Sequence, residues 1–525
     1  LTAEIPLPGP AARGRPRWLW GLAAVAVAAG AALVAHLATR SFGPREDAYI
    51  SYSYARNLAA GQGWVFFPGE EPTYGSTSPL FVLLLAAARL LGADIPAAGH
   101  TLQLVATAGT VLLIFLIGSA MGSPTGGLLG GLLFGLHGQI PYLISGMETA
   151  LVLLLSAALI LLYLRGQLVA AGIVSGLLVL ARPDAVLLAA LLLCHLLATR
   201  GRRAWRALLP AFAVILPWYV YAWRTFGSLL PNPVVAKQLA GSRVFAPLSW
   251  SLFVYHFLPI SWTGLVAVAL ALAGVGALWL GRKDSAWTAA IAWPALYFLA
   301  LWIAGAPSFG VYYVPPLLVV WIAVGHGLAA LPGPPSGSPL RRRAGALVAA
   351  AAALFLTLAL VRGTGETMRE GRESRHRVVP RLARWLRAQA PPGSRVCAFE
   401  VGHLGYFSGC NVIDLLGLTT RRTWPWLKRC DFLGAVRALE PDYVVALDAP
   451  DWLPAEQLLG SDWFERNYHE VYSLPYLRRV ASVEGKVVEA RPGRERASAS
   501  WRRERYAIYA RERAAAGPRP DRAGK

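Results

Sequence analysis

WLWGLAAVAVAAGAALVAHLATRSFGPREDAYISYSYARNL, residues 18 to 58, changes its chemistry partway along. From Trp18 to Leu37 it carries no charge, and the run is long enough to cross a hydrocarbon core of roughly 30 Å. The acidic pair Glu46-Asp47 then opens a segment of a different kind. Wound as a helix, it can rest Tyr49, Tyr52 and Leu58 on a membrane while Asp47, Ser51 and Arg56 face a cavity. A span followed at once by a surface helix belongs to a chain that stays in the bilayer. No small-residue cleavage site ends the run, so it reads as a retained span rather than a signal peptide. Arg13, Arg15 and Arg17 precede it, which places residues 1–17 as a basic cytoplasmic tail and the loop 41–77 outside.

The rest of the first 362 residues repeats that chemistry. Leu208–Trp223, Leu265–Leu280 and Ala344–Val361 are further apolar runs. With 55% of its 525 residues hydrophobic, the chain has more apolar surface than a soluble core of this length can hide. A net charge of +21 would suggest nucleic acid in a soluble protein. Here the Lys and Arg sit in short loops and the C-terminal part, so they are read as topology and contact with the lipid bilayer, with no nucleic acid.

The basic clusters Arg200–Arg206, Arg282–Lys283 and Arg341–Arg343 belong inside. That puts 146–149, 182–184, 226–259, 306–310 and everything after Arg362 outside. The expected architecture is a polytopic α-helical membrane protein with about eleven spans over 18–362. Parity requires one of Leu80–Leu91, Leu102–Met121 and Leu128–Ile144 to fail to cross; the sequence does not say which. No inverted pair of broken helices stands out, which argues against a secondary transporter.

After Arg362 the pattern is that of a small extracytoplasmic α/β domain, 363–490. Val379–Ala390 reads as an amphipathic helix closed by Pro391-Pro392-Gly393. Val396–Val401, Val412–Leu416 and Tyr443–Leu447 read as strands, His403–Phe407 and Phe432–Leu439 as helical. Residues 491–525 read as an Arg-rich solvated tail or a membrane-surface helix. Of the four Cys, Cys194 lies in an apolar run, and one disulfide among Cys397, Cys410 and Cys430 is left open.

Acids before Arg362 are scarce, and a charge near lipid must be paired, hydrated or used. Asp47 stands where a general base meets both a lipid-bound donor and a water-soluble acceptor; the alternative is that Glu46 and Asp47 only cap a helix N-terminus. Arg56, Arg182 and Lys237 are the cations on the outer side for a phosphate; equally, Arg56 snorkels, Arg182 pairs with Asp184 and Lys237 is a loop charge. Glu148 begins a span there. Tyr74, Thr77 and Ser78 shape the loop mouth, and His256 and His403 read as ordinary hydrogen-bonding residues. No His, Asp and Cys cluster has metal-ligand spacing.

The stretch EDAYISYSYARNLAAGQGWVFFPGEEPTYGSTSPLFVLLL resembles the first outer loop of GT-C glycosyltransferases, in particular the branch of the terminal arabinofuranosyltransferases. SGMETALVLLL at 145–155, LARPDAVLL at 180–188, FGSLLPNPVVAK at 226–237 and GHLGYFSGCNVIDLLGLT at 402–419 follow in the same order. The resemblance implies an inverting transfer of one sugar from a polyprenyl-phosphate donor to a glycan or glycolipid acceptor at the plasma membrane. It implies Asp47 as the catalytic base, and Glu46, Arg56, Tyr74, Thr77, Glu148, Arg182, Asp184 and Lys237 in substrate binding. Cofactor use is left open: some relatives need a divalent cation and others do not.

The family usually has two Asp where this chain has Glu46-Asp47, which puts the role of Glu46 in doubt. Tyr312-Tyr313 stands where relatives often carry Arg near the outer end of a late span. A lipid-linked-sugar flippase and a non-catalytic envelope-assembly protein are the competing classes. The crowding of acids at one membrane face favours surface chemistry.

Overall fold

The computed structural model describes residues 17–137, 145–245, 262–281, 285–307, 309–334, 337–370, 375–449, 452–483, 486–489 and 500–512. The basic tail 1–16, His256 and the Arg282–Lys283 cluster lie outside these residues. The apolar part runs α1 (Arg17–Phe42), α2 (Glu46–Ala59), α3 (Pro79–Leu90), α4 (Ile95–Ala120), α5 (Pro124–Leu136), α6 (Thr149–Leu164) and α7 (Leu168–Ala181). It continues with α8 (Val186–Arg200), α9 (Trp205–Phe226), α10 (Asn232–Val244), α11 (Trp262–Gly281), α12 (Ser285–Ile303), α13 (Val314–Ala330) and α14 (Pro339–Glu370).

Among the described residues, five stretches are long and apolar enough to cross a membrane: Trp18–Phe42, Ile95–Ala120, Pro183–Phe226, Gly310–Ala330 and Pro339–Gly365. Pro183–Phe226 is the α8–α9 pair joined by a tight turn at Gly201–Ala204. Pro339–Gly365 is only 6% buried within the protein, so its Leu347, Leu354 and Leu358 must meet lipid. Helices pack through bare backbone where glycines face each other. A Cβ on Gly274 of α11 would stand 1.8 Å from the Ala323 carbonyl of α13, so no other residue lets these helices approach as they do.

The parity question is answered by polar contacts buried in the bundle. Gln103, early in α4, donates from Nε2 to Thr39 Oγ1 at the end of α1 (3.0 Å). Its Oε1 accepts from Gly146 N, beyond α5 (2.8 Å). The end of α1, the start of α4 and the turn at Gly146 therefore share one end of the bundle. α4 leads away from this end, whereas α3, the Leu80–Leu91 candidate, lies between α2 and the start of α4, which both stand at it. The second half of Leu128–Ile144 lies outside the described residues.

A sheet domain sits over that same end. Its helices are α15 (Arg375–Gln389), α16 (Gly402–Phe407), α17 (Trp424–Arg429), α18 (Phe432–Leu439), α19 (Leu453–Leu459) and α20 (Asp462–Asn467). Its strands are β1 (Arg395–Ala398), β2 (Asn411–Asp414), β3 (Tyr443–Asp448), β4 (Tyr468–Val483), β5 (Lys486–Glu489) and β6 (Ser500–Arg511). They form one sheet in the order β2-β1-β3-β6-β4-β5. β1 is parallel to β2 and β3, and the other pairings are antiparallel.

The reading of 491–525 as a tail is corrected for residues 500–511; 491–499 and 513–525 lie outside the described residues. β6 lies between β3 and β4, with Val445 opposite Ile508, and Tyr506 through Ala510 are buried. Its ladder partners satisfy the backbone that a tail would leave to water. The disulfide left open is also absent: all four cysteines are free. The buried Asp414 carboxylate accepts from the N–H groups of Leu416 (2.8 Å) and Thr419 (2.9 Å), fixing the loop after β2. Burial, only partly opposed by those N–H groups, pushes its carboxyl up to about 6.

Candidate active site

The first turn of α2 is pinned from below by the turn before α6. Arg45 N donates to Ser145 O (3.1 Å) and Tyr52 OH donates to Gly146 O (2.9 Å). Gly146 has φ +74, and a Cβ there would reach 3.1 Å from the Ala48 Cβ, so glycine is needed for both conformation and closeness. This docking carries Glu148, the residue before α6, to the foot of α2. The next residue on α2 after Glu46 is Asp47. It is exposed, and among the described residues no hydrogen bond or ion pair holds its carboxylate.

Behind Asp47 lies a buried charge network. Arg182, 4% exposed, breaks the chain between α7 and the turn Pro183–Ala185. Its Nε lies 2.8 Å from Asp184 Oδ1. Tyr297 OH, from α12, donates to Asp184 Oδ2. Burial raises the Glu148 carboxyl above its ordinary value. Arg182 opposes that shift, while Asp184 and Asp47 add to it by like charge. The acids Asp47, Glu148 and Asp184 therefore share one field with Arg182. Among the described residues the buried Arg182 Nη1 group has no hydrogen-bond partner, an arrangement that costs free energy unless something else accepts from it.

Aromatic rings stand beside this network. Arg182 stands 5.2 Å from the Tyr312 ring, and Lys237, from α10, stands 5.8 Å from the same ring and 4.6 Å from Phe309. The Lys237 Nζ is 3.4 Å from Tyr312 OH. Two cations thus stand near one tyrosine ring. α10 holds Lys237 there because its other face, Ala236 and Ala240, packs with Leu427, Cys430 and Phe432 of the sheet domain. Tyr312, one of the pair noted where relatives often have Arg, is therefore part of the site.

The remaining expected residues are placed elsewhere. Glu46 is buried and turned into the sheet domain: it accepts from Gly402 N and His403 N (3.2 Å) and pairs with His403 Nδ1. Burial pushes its carboxyl up, but the His403 ring and those N–H groups outweigh burial and hold it below its ordinary value. Arg56, at the other end of α2, donates to Tyr406 O (2.9 Å) and Gly405 O (3.4 Å). The two side chains grip the six-residue α16 at opposite ends, a negative charge on its N–H end and a positive one on its carbonyl end. The expected substrate contacts of Glu46 and Arg56 are thus taken by domain docking in this structure.

Tyr74 is 2% exposed, with its OH accepting from Trp218 Nε1 (2.8 Å) and its ring stacked on Phe226. It builds the wall of the loop. Thr77 is half-buried, beside Ser76, whose Oγ is 3.1 Å from Ser51 Oγ one turn along α2 from Asp47. His403 is a hydrogen-bonding residue as expected, though its role between domains was not legible.

Sequence reasoning missed Tyr297 and Phe309. Nothing in an apolar helix distinguishes a tyrosine that holds a carboxylate from one that fills a core. Among the described residues, no three of His, Cys, Asp and Glu gather as a metal-ligand set. No step below passes through a metal ion.

Comparison with known proteins bears on the fold. Residues 366–509 match a family model described as a domain of unknown function, DUF8728. No curated protein matches the sequence. Among solved structures, ArnT from Cupriavidus metallidurans bound to undecaprenyl phosphate superposes with TM-score 0.57 at 14% identity, over 94% of this chain and 98% of that one. The archaeal oligosaccharyltransferase AglB from Archaeoglobus fulgidus, in complex with an inhibitory peptide and a dolichol-phosphate, gives 0.55 at 13%, over 92% and 76%. The mycobacterial arabinofuranosyltransferase AftD gives 0.50 at 15% over 95% of this chain, which spans only 42% of AftD. The chain has the fold of the GT-C glycosyltransferases.

Proposed function

We propose that the chain transfers one sugar from a polyprenyl-phosphate donor to a glycan or lipid acceptor on the outer face of the plasma membrane, with inversion and with Asp47 as general base. Asp47 takes the proton from the acceptor hydroxyl. That oxygen attacks the anomeric carbon as the bond to the phosphate oxygen breaks, and polyprenyl phosphate leaves with the electron pair. Arg182 Nη1 and the Lys237 ammonium, both beside the Tyr312 ring, receive its charge. Glu148 and Thr77 line the sugar's side of the groove. Asp184, held by Arg182 and Tyr297, keeps the guanidinium aimed.

The observation that carries this reading is the pairing of an exposed, unheld Asp47 with a buried Arg182 whose Nη1 lacks a partner. Both charges act on the buried Glu148 between them in the network, which supports a base and an anion site close together. Support for the donor class comes from the fold and from the lipid phosphates bound in the ArnT and AglB structures.

The topology that goes with it has eleven crossings, α1, α4 to α9 and α11 to α14, with α2, α3, α10 and the sheet domain at the outer end. The test is mass spectrometry of surface glycans and glycolipids from a deletion strain. One missing sugar, restored by the wild-type gene and not by Asp47→Asn, is expected; an unchanged profile would contradict the reading.

A further inference from the structure

Arg56 does not point to the groove of Asp47, yet its charge is not neutralised where it sits. Its contacts are carbonyl oxygens of Gly405 and Tyr406, the Asn57 side chain and the Tyr406 ring, 4.9 Å away. A guanidinium has five N–H donors, so some are left over. Among the described residues no carboxylate pairs with Arg56 or with Arg89. Both line a cavity of about 430 Å³, together with Ala59, Ala60, Leu90 and Gly92. It lies where the end of α2 meets the end of α3, just before α4 begins.

The surroundings deepen the positive charge. α15 buries Val379, Leu382 and Leu386 and leaves Arg377, Arg381, Arg384 and Arg387 exposed. Arg387 is near enough to work against the charge on Arg56. The one acid whose field reaches the adjoining Tyr406 ring is Asp94, and its Oδ2 is occupied by Ala97 N at 3.1 Å. Beside the cavity stand two of the most exposed apolar side chains in the protein, Leu90 at 72% and Leu91 at 89%. α3 does not cross, so these leucines stay at the end of the bundle, at headgroup depth. Cation and acyl-binding surface lie side by side.

We propose that this cavity binds the phosphate of an anionic membrane lipid, with Arg56 and Arg89 on the phosphate and Leu90 and Leu91 against the acyl chains. The lipid completes the joint between α2, α3 and the arginine face of α15, away from the groove of Asp47. The site stands whether or not the chain transfers sugar.

The test uses the full chain in nanodiscs of phosphatidylcholine alone or mixed with phosphatidylglycerol, with native mass spectrometry of the lipid that stays bound. Wild type should retain phosphatidylglycerol selectively, and Arg89→Gln should lower that retention about fivefold, the effect of one interfacial arginine. Arg89→Lys should largely restore it. Inorganic phosphate should not displace the lipid, and binding of polyprenyl phosphate should be unchanged in Arg89→Gln. Equal phosphatidylglycerol retention by wild type and Arg89→Gln would overturn the proposal. Displacement by inorganic phosphate would mean a soluble phosphate site, and loss of polyprenyl-phosphate binding would mean a donor site; either outcome also overturns it. Arg89 is exposed, and among the described residues its side chain makes no hydrogen bond or ion pair, so its variants fold.

Discussion

Glu46 and Asp47 are adjacent on one helix but face different tasks, and substitution separates them. Glu46→Ala removes the acceptor of two buried N–H groups and the partner of the His403 ring. Removing a buried carboxylate that accepts several hydrogen bonds costs about 3 kcal/mol or more, because the donors left behind stay buried and unpaired. The cost falls on the docking of α16 onto α2. Amide hydrogen exchange at Gly402 and His403, followed by mass spectrometry, should then speed up roughly 150-fold. Glu46→Gln keeps an acceptor and loses the charge, so an acceleration of about tenfold is expected. Asp47→Asn should leave exchange at both amides unchanged. If Glu46→Ala leaves those amides as protected as in wild type, the clamp is not what holds the domain.

The same contact sets a pH dependence. The docked state holds the Glu46 carboxyl below its ordinary value of 4.5. A depressed value means that the docked state binds fewer protons than the undocked one over the interval between the two values. Docking strength is therefore full above the ordinary carboxylate range and falls as acid titrates Glu46.

Gly402→Ala should undock α16 without touching any charge, because its Cβ would stand 2.1 Å from the Glu46 carbonyl; faster exchange at His403 with normal Asp47 accessibility checks it. Arg182→Ala leaves Asp184 with Tyr297 alone and should cost about 3–5 kcal/mol of stability, read as a lower unfolding temperature in detergent, as well as donor binding. Gly274→Leu should force α11 from α13 and lower the yield of monodisperse protein, while Gly276→Leu, where a Cβ meets nothing within 4 Å, should be tolerated.

The bundle was legible because its signal is long-range and simple: apolar runs of membrane length. In the sheet domain, Phe432–Leu439 is found as expected, and Tyr443–Leu447 differs from β3 by a single residue. β6 was lost because SWRRERYAIYAR is dense in arginine. Charge composition outweighed the inward residues Tyr506 and Ile508, whose burial depends on partners far away in sequence. Asp47, Arg182 and Lys237 stood out as charges beside apolar runs. Glu46 and Arg56 stood out equally and turned elsewhere, since helical spacing says which face a residue shares and not what packs against it. Arg56 lies nine residues along α2 from Asp47, and only the sheet domain, some 350 positions later, determines what it grips.

The most direct test of Asp47 as the base is transfer by the full chain in proteoliposomes, supplied with polyprenyl-phosphate sugar and acceptor, with release of polyprenyl phosphate as the readout. Asp47→Asn should reduce turnover by about 10²–10⁴-fold while binding donor as wild type does. Turnover by Asp47→Asn equal to that of wild type would contradict the assignment.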